Sequence, residues 1–255
     1  MNLQKIISWF GMIIIAVALI HPGWIDAEEI LKVGAFSQAP VPSDRLPENW
    51  EPLTFKKIDQ HTKYEMVEED GKTVIRADCK ASASGLIRKI RIDPRVYPVI
   101  QWRWKITGVY EKGDVTRKSG DDYPARIYIA FEYDADRVGF LEKAKFETAR
   151  ILYGDYPPIG AINYIWESRA PEGTRVPNPY TDRVMMIVIE SGTEKAGTWI
   201  TEERNIYQDY IDSFGQPPPM ISGVAIMTDG DNTGEATTAF YGDILFKADT
   251  NSDRP

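Results

Sequence analysis

Histidine and cysteine are nearly missing from this chain: among 255 residues there are two histidines, His21 and His61, and one cysteine, Cys79. A single cysteine has no partner within its own chain, so no internal disulfide staples the fold. Stability has to come from a hydrophobic core, and a lone thiol of this kind is expected to be buried as a small hydrophobe. A catalytic zinc ion takes three protein ligands, with histidine usual among them, and a Ser-His-Asp or Cys-His nucleophile needs a histidine base. His21 falls in an N-terminal segment read below as removed, so both chemistries would rest on His61, which lies in a polar stretch and reads as a surface residue. No Gly-x-Ser-x-Gly elbow, Gly-x-Gly-x-x-Gly turn or P-loop is present, which argues against serine-hydrolase and nucleotide chemistry. Positive charge is also short. Lys+Arg 30 against Asp+Glu 38 gives a net charge of −8, the wrong sign for nucleic acid or an anionic membrane surface as partner.

What is present begins with an export pattern. Lys5 supplies a basic start, Ile6 to Ile20 an apolar run, and Ile25-Asp26-Ala27 ends in a small residue at a plausible cleavage point, the composition of a signal peptide. Ser8 and Gly11 interrupt the run and His21-Pro22-Gly23 stops it, leaving it short of the ~20 apolar residues of a membrane span. The expected organisation is a signal peptide over residues 1–27, one domain over 28–250 and a frayed tail over 251–255. The mature chain is then periplasmic or secreted, with no membrane insertion after cleavage; an uncleaved anchor is the alternative.

Through the domain the dominant pattern is period-two alternation. Ile100, Trp102, Trp104 and Ile106 share one face of a strand opposite Gln101, Arg103 and Lys105, and Ile127, Ile129, Phe131 and Tyr133 share a face opposite Arg126, Tyr128, Ala130 and Glu132; both read as half-buried strands. Tyr64–Glu68 and Thr73–Ala77, joined at Asp70-Gly71, read as a hairpin. Further strands are expected at Ile30–Phe36, Ile162–Trp166, Ile221–Met227 and Ala236–Phe246, and at Val184–Ile189, which is apolar on both faces and suits a strand covered on both sides. Two short helices interrupt them. One spans Phe140 to Leu152. The other has Thr201 as N-cap with Glu202 and Glu203 behind it, an apolar stripe of Ile206, Tyr207, Tyr210, Ile211 and Phe214, and a stop at Gly215 with Pro217-Pro218-Pro219. The fold class is therefore mostly β, an antiparallel β-sandwich with two short helices.

Several segments carry a resemblance. Ser82-Ala83-Ser84-Gly85-Leu86, Trp102-Arg103-Trp104-Lys105, Gly120-Asp121-Asp122-Tyr123-Pro124-Ala125-Arg126-Ile127-Tyr128, Asn178-Pro179-Tyr180-Thr181-Asp182-Arg183, Thr228 through Glu235 and Tyr241-Gly242-Asp243-Ile244 together resemble a bacterial exported family catalogued as domain of unknown function 3047, over nearly the whole mature chain. That resemblance implies no activity. The opening Val33-Gly34-Ala35-Phe36-Ser37 and closing Tyr241 to Phe246 also look like the first and last strands of galactose-binding-like jelly rolls, which implies a jelly-roll sandwich, many of whose members bind carbohydrate beside a structural calcium ion; a shared fold does not by itself carry a function.

The remaining candidates for chemistry are carboxylates and aromatic rings. Asp229, Asp231, Asn232, Thr233 and Glu235 crowd one loop and offer hard oxygen ligands for calcium, with Asp243 on the following strand as a further candidate. The loop opens like an EF-hand but places Phe240 where the closing bidentate Glu belongs, so an acidic turn is the competing reading. Asp121 and Asp122 enter the strand that carries Arg126, Tyr128 and Glu132, a face that Arg103 extends if the two strands pair. With Tyr180 these form the candidate site for a glycan or another small polar ligand, against a solvated face of cross-strand ion pairs. Trp102 and Trp104 read as core, whereas Tyr123, Tyr156, Tyr164, Trp166 and Tyr180 lie nearer loops or short strands and are better placed to stack on a sugar. Three functions stay open: a non-catalytic module binding carbohydrate or another polar ligand, a carbohydrate-active enzyme using two carboxylates drawn from Asp121, Asp122, Glu132, Glu167 and Asp229, and a structural component of the cell envelope.

Overall fold

Alternation with one apolar face per strand requires a second apolar face to cover it, and the computed structural model, which describes residues 29–40, 45–137, 139, 143, 146 and 157–249, supplies one. Two sheets pack face to face around a shared core in a jelly-roll sandwich. The first holds β1 (Ile30–Gly34), β3 (Lys63–Glu69), β4 (Lys72–Lys80), β6 (Val99–Ile106), β11 (Ile200–Asn205) and β13 (Ala236–Lys247), in the order β11-β6-β13-β4-β3 with β1 also beside β13. The second runs β2 (Glu51–Leu53), β5 (Ala83–Ile92), β12 (Ile221–Asp229), β7 (Ala125–Phe131), β8 (Gly160–Glu167), β10 (Thr181–Ser191), β9 (Arg175–Asn178). The expected signal peptide and C-terminal tail lie outside the described residues, as does most of the helix expected at Phe140 to Leu152, of which Lys143 and Phe146 are described and helical. No helix among the described residues is long and apolar enough to cross a membrane.

The pairing is antiparallel except for β8 and β10. Residues 168–180 between them contain β9, which first pairs antiparallel with β10; a connection of about that length is what a parallel pair needs. The hairpin of β3 and β4 turns at Asp70 (φ 53) and Gly71 (φ 72), the two positive φ values that a type I′ turn demands and that Asp-Gly meets at low cost. β1 pairs with β13, so the first and last strands are neighbours as in the jelly rolls they resemble.

Aromatic rings hold the sheets together. Trp102 of β6 stacks on Tyr164 of β8 (centroids 5.1 Å apart, 21° between planes), and Trp104 tilts against Trp166 (5.8 Å). All four are buried. Trp102 and Trp104 are core as their alternation indicates, but Tyr164 and Trp166 are core too and cannot meet a ligand; Tyr123 is likewise buried, and Tyr156 lies outside the described residues. β6 and β7 belong to opposite sheets. Because each turns its apolar face toward the other, their polar faces point in opposite directions and Arg103 does not extend the face of Arg126. Its guanidinium lies instead over Trp199, 4.0 Å from the ring centroid.

The helix also differs from expectation at its start. Thr201 is in β11, opposite Arg103, and the helix α1 (Ile206–Phe214) is capped by Asn205, whose side chain accepts the Gln208 amide at 2.9 Å. The cap belongs immediately before the first residue of the apolar stripe, and that residue is Ile206. Gly215 ends the helix in the left-handed region (φ 71). From α1 the buried Asp209 accepts Arg204 at 2.6 and 3.0 Å, Arg175 at 2.6 Å and the Tyr164 hydroxyl at 2.8 Å, tying the helix to β11, β9 and β8. Burial alone raises its pKa, but these hydrogen bonds outweigh burial and hold the carboxyl below its ordinary value.

Candidate functional site

An antiparallel sheet facing water on one side carries polar residues outward, and the seven-stranded sheet departs from that rule in a graded way. Reading across the outer face, Met227 of β12 lies opposite Arg126 of β7, Ala225 opposite Tyr128 and Gly223 opposite Ala130. One end of this face is covered by residues 107–124, whose Val115 and Tyr123 pack on Ile165, Met186 and Val188 as a second, smaller core. Beside that cover lies a cleft of about 420 Å³ lined by Asp121, Arg126, Tyr128, Asn178, Tyr180, Met227, Asp229, Asp231 and Asn232, and by Phe55, Ile58 and Ala83.

Two loops build its acidic end. Asp122, buried, accepts the Thr233 amide at 2.6 Å, the Asn232 amide at 3.3 Å and the Asn232 side chain at 3.1 Å, which clamps the loop before β7 to the loop between β12 and β13. Asp121 accepts the Tyr123 hydroxyl at 3.0 Å and both of its oxygens face the Asn178 amide, at 3.2 and 3.1 Å. Arg126, only 4 % exposed, forms an ion pair with the buried Asp229 and lies near the rings of Tyr123 and Tyr128. Its Nε is buried without a hydrogen-bond partner among the described residues. Burial pushes the carboxyl of Asp229 up; Arg126 pulls it back while Asp122, Asp121 and Asp231 push further. Asp121 and Asp231 are raised as well, in both cases chiefly by burial.

The aromatic wall stands at the rim. Tyr180 is 58 % exposed although its hydroxyl is tethered to Asn232 Oδ1 at 3.2 Å and to the Lys118 carbonyl at 3.3 Å, with Lys118 Nζ 5.0 Å from the ring centroid. Phe55, 37 % exposed, also lines the cleft.

Of the residues expected at a ligand or metal site, the fold gathers Asp121, Asp122, Arg126, Tyr128, Tyr180, Asp229, Asp231 and Asn232 and leaves others outside. Glu132 is at the far end of β7, in a two-point ion pair with Arg91 (2.7 and 3.1 Å). Glu235 turns its carboxylate to the amides of Glu111 (2.8 Å) and Lys112 (3.0 Å), and Thr233 reaches the cluster through its backbone amide. Asp243 accepts the Ser37 amide and hydroxyl at 2.8 and 2.5 Å, steadying the turn after β1. The oxygens that approach one another within 4.8 Å are those of Asp122, Asp229 and Asp231. His61 is exposed and hydrogen-bonds the Ile58 carbonyl at 3.1 Å, and Cys79 is buried.

This geometry bears on carboxylate catalysis. Glycoside hydrolysis sets two carboxyl groups ~5–9.5 Å apart across the scissile bond; in Asp122, Asp229 and Asp231 one oxygen of each lies within 4.8 Å of the others. Among the other carboxylates considered, Glu167 accepts the backbone amides of Val115, Arg169 and Ala170 and Glu132 is paired with Arg91, so both hold structure. Sequence reasoning missed Asn178 and Phe55 as members of the site. Asn178 lies in one of the segments that carry the family resemblance; Phe55, alone in a polar loop, gives no signal.

Comparison with known proteins assigns the chain to a family. The family model described as "Protein of unknown function (DUF3047)" matches residues 48–245, and the chain belongs to that family. No curated protein matches it. Among solved structures it is similar to endoglucanase 3 from family GH12 of Trichoderma harzianum (8% identity, TM-score 0.39, covering 80% of this chain and 100% of that one). It is also similar to the family 30 carbohydrate-binding module of a cellulosomal cellulase of Clostridium thermocellum (10%, 0.36, 87% and 99%) and to the carbohydrate recognition domain of Emp47p (11%, 0.43, 88% and 98%).

Proposed function

We propose that this member of the family is an exported, non-catalytic module that binds carbohydrate in the cleft between Tyr180 and Phe55. The observation that carries the reading is Tyr180: it is held in place by its hydroxyl, with Lys118 Nζ over one side of the ring, yet stays more than half exposed beside a floor of carboxylate, amide and guanidinium groups. A pyranose presents an apolar C–H face and a rim of hydroxyls, so it covers such a ring while its hydroxyls meet Asp121, Asn178 and Asn232. Planar groups fixed by their own hydrogen bonds need little reordering on binding. Calcium belongs to the same proposal, with the ligand set narrowed to Asp122, Asp229 and Asp231, all hard oxygen donors at a spacing compatible with metal–oxygen distances of ~2.3–2.6 Å. The mature chain is then expected to begin at Glu28.

Affinity electrophoresis and a glycan array, each run with millimolar calcium and with chelator, test the proposal. Tyr180→Ala is expected to weaken glycan binding about tenfold or more with only a small change in thermal midpoint, since the residue is exposed and the two hydroxyl bonds it loses lie at the surface. Calcium alone is expected to raise the midpoint. Failure of the unaltered chain to bind any cell-wall or exopolysaccharide sugar in either condition would remove the carbohydrate reading, and a midpoint indifferent to calcium would remove the ion.

A further inference from the structure

Along the same outer face, away from the acidic end, the sheet carries a second recess of about 470 Å³ whose lining is largely apolar, Leu53, Phe55, Ile87, Ala130, Val184 and Ala225 among others, with Tyr128, Thr181 and Arg183 as its polar members. Its floor follows from register. Gly223, Ala130 and Ala161 stand opposite one another on three adjacent strands, so side chains too small to fill the face leave a trough where larger neighbours, Ile87 and Val184, rise on either side. Phe55 and Tyr128 line both this groove and the polar cleft. Along β12 the outward residues run Asp229, Met227, Ala225, Gly223, a passage from charged to apolar over six residues or ~20 Å. An apolar recess of ligand size on such a face, open among the described residues, calls for an occupant.

We infer that the two recesses form one binding site for a single-chain amphiphile, with a polyhydroxylated head in the cleft and a hydrocarbon tail in the groove between Phe55 and Val184. The inference rests on the carbohydrate reading for its head group and adds the tail. Two observations select this occupant. The recesses share walls, so one molecule reaches both. At the polar end the buried Arg126 Nε has no partner among the described residues, a donor that a hydroxyl oxygen of the head would satisfy.

Isothermal titration calorimetry with methyl, hexyl, octyl and decyl maltosides, kept below their micelle concentrations, is the test. Affinity is expected to rise about two- to fourfold per added methylene, the span for partial to full burial. Ala130→Leu, which fills the trough from a half-buried position, is expected to abolish that rise and to leave the affinity for methyl maltoside unchanged. Val184→Ala, which lowers one wall, keeps the test alive if the first variant folds poorly, and is expected to reduce the gain per methylene. Equal affinity for all four compounds overturns the inference even where oligosaccharides bind, and so does a chain-length dependence that survives Ala130→Leu. A dimer seen by sedimentation velocity, dissociated by Ala130→Leu and without surfactant binding, assigns the groove to a second copy and overturns it as well. If decylphosphocholine binds as tightly as decyl maltoside while no free sugar binds, the tail site stands and the carbohydrate reading falls.

Discussion

Replacement of Arg126 by leucine is expected to destabilise the fold by about 3–5 kcal/mol, and by more at pH 8 than at pH 5. Arg126 is the buried cation facing Asp229, with Asp121, Asp122 and Asp231 close by. Removing one partner of a buried pair leaves the other charge uncompensated, and here it leaves a group of carboxylates repelling one another. The pH dependence follows from the direction of their shifts. Asp121, Asp229 and Asp231 already have raised pKa values, and loss of the guanidinium raises them further. The folded state then holds protons that the unfolded state has released, so stability is greatest below the unfolded carboxyl pKa and falls as pH rises through the folded one. Asp229→Asn added to Arg126→Leu is expected to return a large part of the loss, because it relieves the repulsion that the first change exposes. Urea denaturation of the single and double variants at both pH values checks this. A cost below about 1 kcal/mol that is flat in pH would show that the arginine does not balance the cluster.

A comparable loss, about 3 kcal/mol, is expected for Asp209→Ala. Asp209 is the common acceptor for Arg204, Arg175 and Tyr164, so its removal frees a helix from both sheets at once. The two arginine side chains are 34% and 29% exposed; water partly screens them once unpaired, which places the cost at the low end of the range for buried pairs. The acid limb of the unaltered protein depends on the same residue. Its folded pKa is depressed, so its contribution is present above the unfolded carboxyl value of about 3.9 and is lost as pH falls through the folded value. The alanine variant is expected to show a shallower acid transition in tryptophan fluorescence; an unchanged slope would move the acid sensitivity elsewhere.

Local pattern was legible and long-range placement was not. The strands around Trp102 and Ile127 and the helix stop at Gly215 are written in alternation and turn chemistry, which depend on neighbours a few residues away. Asp121, Asp122, Arg126, Asp229 and Asp231 were legible as candidates because acidic loops beside strands are visible in sequence, but their meeting is a product of β12 lying next to β7. The same cause hid Asn178 and Phe55, which reach the cleft from β9 and from the loop after β2, elements of four and three residues too short for any period to register. It also misplaced Arg103: alternation says which residues share a face and cannot say which sheet the strand joins. Thr201 satisfied the composition of a helix cap while its strand pairing with β6 satisfied more backbone groups.

The position of β13 has a consequence for the order of events in folding. It is the last strand among the described residues, yet it lies at the middle of its sheet, with β6 along one side and β4 and β1 along the other. Until residues 236–247 have been synthesised, β6 and β4 have no neighbour at those edges and the six-stranded sheet has a gap where its central ladder belongs. Contacts that join the two ends of a chain are slow to form, and unpaired edges invite association with other chains in the interval. A chain of this sequence therefore stays without its first sheet until residues 236–247 take part, and a chain truncated before residue 236 would leave the facing edges of β6 and β4, and the whole of β1, without a partner strand among the described residues.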